Sequence, residues 1–171
     1  MNISIPSKKC PAPTIHEQQV SFMCGKHAIN NVLQRKEATC SSLAKTARTL
    51  SKNMNIQLNE LMNPNTGYYD ASVLVQYLVS RGYDIDVLYP KDFFKMSRRQ
   101  SPRLLGYIFG DGTHWMSVRK TFKRGCYFEI DSLLDNPRKL SVLKRWIQSQ
   151  KPTKFMAIRV LRARQRNVSI K

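Results

Sequence analysis

Acidic residues are scarce in this 171-residue chain: 11 Asp and Glu stand against 29 Lys and Arg, leaving a net charge of +18. Such an imbalance says nothing about fold. It predicts attraction to nucleic acid, an anionic membrane surface or an acidic protein, with plain solvated surface as the alternative. Cysteine is sparse too. The four, at 10, 24, 40 and 126, contain no Cys-x-x-Cys pair and follow no regular spacing, so neither a zinc ribbon nor a disulfide scaffold is indicated. No apolar run approaches the roughly 20 residues of a membrane span. The opening MNISIPSKK lacks the apolar stretch of a signal peptide. These absences lead to the expectation of a soluble intracellular protein in a reducing compartment (cytoplasm, nucleus or both) with free thiols.

What is present fits one domain with an ordinary core, since 42% of the residues are hydrophobic. Residues 1–14, with Pro6, Pro11 and Pro13, read as a flexible leader. From Cys24, apolar residues fall at Ala28, Ile29, Val32 and Leu33, a helical spacing. Ser41 and Ser42 offer an N-cap to a second helix with Leu43, Ala47 and Leu50 on one face. The following stretch is polar, with a helical turn possible at Leu58 to Met62; Asp70 caps a third helix that Gly82 stops. The period then changes to that of strands: 84–89, 104–109, 114–119 and 126–130, with GDGTH as a tight connection. A late helix over 140–148 and a last strand over 154–160 complete an α+β pattern. Charge gathers in 91–103, in 119–124 and in the tail 162–171, which carries too little apolar surface to offset its chain entropy and is expected to fray.

Three places carry candidate chemistry. Cys24 opens a helix beside Gly25. A helix N-terminus favours a thiolate, and glycine leaves room for a carbonyl to approach the sulfur; the alternatives are core filler or half of a metal site. His114 begins a strand straight after a hairpin, a firmly held position for a general base, or a surface residue stacked on Trp115. Asp131 ends the strand expected to pair with it. A carboxylate there can reach the imidazole of a neighbouring strand, or merely cap Ser132 and Leu133. Together these give Cys, His and acid in papain-like order. Gln19, five residues before Cys24, is placed to aim an amide at an oxyanion alongside the Cys24 backbone N–H.

At this point a resemblance appears. IHEQQVSFMCGKHAINNVLQ is similar to the opening signature of Josephin domains, THWMSVRK resembles their histidine motif, CYFEIDSLLDNP their third motif and GYYDASVLVQYLVSRG the helix between. The resemblance implies a papain-like fold, with N-terminal helices packed on a C-terminal antiparallel sheet over residues 15–161. It implies a cysteine deubiquitinase with Cys24 as nucleophile, His114 as base, Asp131 as orienting residue and Gln19 as oxyanion donor. His27 and Asn30 would be scaffold. A Cys-x-x-His metal pair of Cys24 and His27 is the rival reading, with no second pair of ligands at hand. Ubiquitin and ubiquitinated proteins are the implied partners, a monomer is expected, and no cofactor is implied. Some family members carry Asn at the position of Asp131, and either residue accepts from a histidine ring. The arm between Leu50 and Gly67 is short for the family, which bears on substrate access. Two other readings stay open: a basic module binding nucleic acid, an anionic membrane or an acidic surface, with a vestigial site, and a protease for a ubiquitin-like protein.

Overall fold

The structure, a computed structural model, describes residues 10–19, 22–92, 101–121, 126–150 and 156–164. Helical spacing gives α1 (Cys24–Leu33), which buries Ala28, Ile29, Val32 and Leu33. α2 (Cys40–Met54) buries Leu43, Ala47 and Leu50, as its spacing predicts. Its cap is not a serine, however. Thr39 Oγ1 accepts from the Ser42 N–H at 3.1 Å, and the Ser42 hydroxyl accepts from the Thr39 N–H at 3.0 Å. This reciprocal box satisfies two backbone donors and starts the helix at Cys40. After the single turn α3 (Leu58–Leu61), β1 (Met62–Asn63) and β2 (Tyr68–Tyr69) form a small hairpin that the polar composition concealed. α4 (Ala71–Ser80) is capped by Asp70, whose Oδ1 accepts from the Ser72 N–H at 2.9 Å.

Among the described residues the second half supplies β3 (Asp84–Leu88), β4 (Leu104–Gly110), β5 (Trp115–Lys120), β6 (Tyr127–Ile130), β7 (Arg138–Leu140), α5 (Leu143–Ser149) and β8 (Met156–Leu161). The strands join in one antiparallel sheet, order β3-β8-β4-β5-β6-β7. The late helix starts later than its pattern suggests, because Leu140 pairs with Tyr127 as part of β7. β4 is buried along its whole length, which accounts for the unbroken run LLGYIFG. One face of the sheet packs Leu105, Ile108, Trp115, Ile158 and Val160 against α1, α2 and α4. The other packs Tyr107, Phe109, Val118 and Ala157 against Trp146 and Ile147 of α5. Burying each of the Val, Leu, Ile and Phe side chains among these stabilises the fold by about 1.5–3 kcal/mol.

The expectation of free thiols is corrected at two positions. Cys10 and Cys126 are joined as a disulfide with their Cα atoms 6.0 Å apart, while Cys24 and Cys40 are free. A separation of 116 residues leaves no local signal, so only the tertiary approach of the leading segment to β6 reveals the pair. Residues 1–9 of the expected leader lie outside the described residues; beyond Cys10, Gln34 Oε1 accepts from the Thr14 and Ile15 N–H groups. In the basic tail the Arg162 N–H donates to the Arg103 carbonyl at 2.9 Å, and residues 165–171 lie outside the description, as do 93–100 and 122–125 of the other two basic stretches. No helix among the described residues is long and apolar enough to cross a membrane.

Candidate active site

The sulfur of Cys24 sits at the first residue of α1 and is buried. Met23, just before it, takes a left-handed conformation (φ 99°, ψ 32°), which costs a non-glycine residue on the order of 1–3 kcal/mol. The β1–β2 turn braces it there. A Cβ on Gly67 (φ 62°) would fall 2.7 Å from Met23 Cγ and 3.0 Å from its backbone N, so only glycine lets the turn close on this segment. Gly25 also has a packing role. A Cβ there would meet Leu74 of α4 at 3.3 Å and Trp115 of β5 at 3.5 Å, so its smallness lets α1 approach both.

His114 lies just before β5 and Asp131 just after β6, past the last paired residues Ser117 and Ile130. The His114 Nε2 atom and Asp131 Oδ1 are 2.7 Å apart. The same oxygen accepts from the Leu133 N–H at 3.0 Å, so capping and histidine contact coexist. The Cys24 side chain is the ring's other electrostatic neighbour, near enough to favour its charged form. With Nε2 turned to Asp131, Nδ1 is the ring atom left for the sulfur. Burial alone would lower the imidazole pKa; the hydrogen bond to Asp131, with the pull of Asp131 and Cys24 on the ring's charge, outweighs it and pushes it up to about 10. Gln19 joins the third motif as well. Its N–H donates to the Ser132 carbonyl at 2.8 Å, and its Oε1 accepts the Ser132 hydroxyl at 3.0 Å. That leaves the Gln19 NH2 as the free donor end of the side chain.

Three supports escaped the sequence reading. Asp111 Oδ1 accepts from the Thr113 N–H (2.9 Å), the Thr113 hydroxyl (2.8 Å) and the His114 N–H (2.9 Å), folding the hairpin tip that presents His114. Burial works against its charge, but these bonds and the His114 charge hold its carboxyl below the usual range. The Asp-Gly-Thr run was the available signal. His16 Nε2 lies 2.9 Å from the Asp131 carbonyl oxygen and ties the leading segment behind the carboxylate. Trp115 is 2% exposed; its indole N–H donates to the Tyr69 carbonyl at 2.9 Å, and its ring stacks on Tyr68. A Cβ on Gly110 would overlap this ring, so the residue opposite Trp115 has to be glycine.

His27 faces away from metal chemistry. Its Nδ1 is 2.8 Å from Glu17 Oε2, and the Asn30 NH2 donates to Glu17 Oε1 at 2.9 Å. Burial lowers the pKa of His27, with the Lys26 charge adding to this and Glu17 opposing it. Among the described residues no group of three or more His, Cys, Asp or Glu is arranged to hold a metal ion.

The Josephin family profile matches residues 19–150. The chain belongs to the Josephin family. Human Josephin-2 is 25% identical over 150 residues, covering 79% of this chain and 77% of that protein. Rat ataxin-3 is 24% identical over 142 residues, 74% of this chain; the chain spans only 39% of ataxin-3. Among solved structures, the peptidase domain of Streptococcus ComA, a bifunctional ABC transporter involved in quorum sensing, superposes with a TM-score of 0.50 at 14% identity, over 86% of this chain and 97% of that domain. The Josephin domain thus has an α+β, papain-like cysteine-peptidase architecture, with helices α1, α2 and α4 on one face of the antiparallel sheet and α5 on the other.

Proposed function

We propose that this Josephin domain is a cysteine deubiquitinase that hydrolyses peptide and isopeptide bonds at the ubiquitin C-terminus. The observation that carries the reading is the His114 ring, hydrogen-bonded to Asp131 at 2.7 Å and electrostatically coupled to Cys24. In the proposed reaction the Cys24 sulfur, its proton passed to His114, attacks the terminal carbonyl carbon. A C–S bond forms, and the oxyanion is held by the Cys24 backbone N–H and the Gln19 amide. The C–N bond to the substrate lysine then breaks as the imidazolium of His114 protonates the departing amine. Water attacks the thioester, gives a proton to His114 and returns the thiol. Asp131 keeps Nε2 engaged throughout, so that Nδ1 faces the sulfur.

Phe22 and Leu133, 60% and 64% exposed, stand two residues from Cys24 and Asp131 and offer apolar contact to an incoming protein tail. The enzyme acts as a monomer on ubiquitinated proteins. The reaction needs Cys24 as a free thiol, which it is beside the Cys10–Cys126 disulfide. Residues 15–161 act as the catalytic unit between a leader and a basic tail. A ubiquitin probe ending in an electrophile tests the reading: the parent is labelled and Cys24→Ala is not. Equal labelling of both, or none of the parent, defeats it. Labelling by a ubiquitin-like probe alone would move the activity to that modifier.

A further inference from the structure

At the end of α1 opposite Cys24 lies a cavity of about 620 Å³, within the range of small-molecule sites. Ten residues of helix separate the two ends, about 15 Å. The walls are residues 11–14, the last turn of α1, the turn after α4, and the ends of β5 and β8. The charge around it has one sign. Arg35, Arg81, Arg119, Lys120 and Arg162 line the cavity, and among the described residues no Asp or Glu does. Glu37, outside the lining, faces Arg81 at 3.8 Å and accepts from the Tyr83 hydroxyl at 3.4 Å.

Arg119 is only 8% exposed. Its hydrogen bond runs from Nη1 to the Val32 carbonyl at 2.5 Å, in the last turn of α1. That uses one of five N–H donors. No carboxylate pairs with it among the described residues. None of its nitrogens is among the fully buried atoms that lack a partner, so the remaining guanidinium N–H groups open on the cavity. Burial first, then the like charges of Arg162 and Arg35, lower its pKa to about 10, with Tyr83 opposing. Thr121 Oγ1, also in the lining, is buried with no partner. Capping α1 accounts for one N–H of Arg119. It does not account for cations converging on an acid-free hollow, an arrangement that is costly until an opposite charge enters.

We propose that this cavity binds a small phosphorylated ligand, with phosphate oxygens on Arg119, Arg35 and Lys120, and Tyr83 beside the remainder. Guanidinium groups match phosphate oxygens in pairs, and the multiple cations suit a polyanion better than a single carboxylate. The site lies at the far end of α1 from the thiol and stands whether or not Cys24 is catalytic.

The test is calorimetric titration of the full chain with inorganic phosphate, pyrophosphate, ATP and inositol hexakisphosphate. Saturable one-to-one binding of at least one of them is expected; pyrophosphate alone would mark a polyphosphate ligand, and tighter ATP or inositol phosphate an organic one. Arg35→Ala and Lys120→Gln should each weaken that binding about tenfold, the loss of one charge-assisted contact, with the ligand-free melting temperature unchanged. Arg35 is exposed, so its variant is expected to fold. No saturable binding of any probe overturns the proposal. So does binding that neither variant weakens, which would be diffuse attraction to the basic surface. Oligonucleotide binding that the small phosphates do not compete away would also overturn it.

Discussion

Asp131→Asn separates the two things Asp131 offers His114, a hydrogen-bond acceptor and a charge. The amide oxygen can still accept from Nε2–H at the 2.7 Å separation, so the ring orientation survives. What is lost is the charge. A hydrogen bond to a charged group contributes about 1.5–3 kcal/mol and a neutral one about 1 kcal/mol, so the difference is roughly 1–2 kcal/mol. Both side chains are largely buried, 17% and 10% exposed, so water screens little of it. One pKa unit corresponds to about 1.4 kcal/mol, and the imidazole should therefore fall by about one unit from its position near 10.

The sign of the stability effect follows. The folded value lies above the ordinary 6.5, so the histidine's contribution is fully present below about pH 6.5 and fades as pH rises toward 10. In the variant that contribution is smaller by about 1.4 kcal/mol wherever the ring is protonated, so the melting temperature drops at pH 5–8 and the loss shrinks as pH rises past about 9. Activity on ubiquitin bearing a C-terminal fluorogenic amide should persist, reduced about tenfold, with its alkaline limb displaced downward by about one pH unit. NMR titration of the His114 ring in both proteins is the direct measurement. A parent ring titrating near 6.5, or one that Asp131→Asn leaves in place, would refute the account of how these three side chains are coupled.

Asp111→Ala removes three acceptor contacts at the tip of the hairpin; turnover should fall roughly ten- to a hundredfold as His114 loses its fixed approach, while Asp111→Asn, which keeps an acceptor oxygen, retains most of it. Gly110→Ala drives a methyl group into the Trp115 ring, so stability should fall by at least about 1–3 kcal/mol in denaturant unfolding together with activity. Thiol titration of the denatured, unreduced chain should find the two free cysteines, 24 and 40; Cys10→Ser should lower stability by about 2–5 kcal/mol in oxidising buffer and have no such effect in reducing buffer.

The helices were legible because their apolar spacing is regular: Val73, Leu74, Tyr77 and Leu78 announce α4 as plainly as Asp70 announces its start. β4 was legible as a short run buried on both faces. The residues Cys24, His114 and Asp131 could be chosen by type and order, but their meeting depends on a register between β5 and β6 that no local pattern specifies. β1 and β2 went unseen because a two-residue strand has no period. The Cys10–Cys126 bond and the Arg119 cavity depend on segments distant in sequence, and composition alone gives the excess charge without its location.

The opening signature divides into chemistry and fastening, and most of it is fastening. Glu17 holds His27 and Asn30 through its two oxygens, while its backbone N–H donates to Asn31 Oδ1 at 2.8 Å. Asn30 Oδ1 accepts from the N–H groups of Glu37 and Ala38, ordering the turn between α1 and α2. Gln34 takes the Thr14 and Ile15 N–H groups and donates to the Ile15 carbonyl at 2.9 Å. Each of these buried or half-buried groups would cost about 1–3 kcal/mol if left unpaired. Their pairing instead fixes the segment from Thr14 to Gln19 along α1. That segment carries His16 to the Asp131 carbonyl and Gln19 to Ser132. The polar residues on α1 therefore set where Gln19 and Asp131 stand relative to Cys24 without any of them touching the reacting atoms.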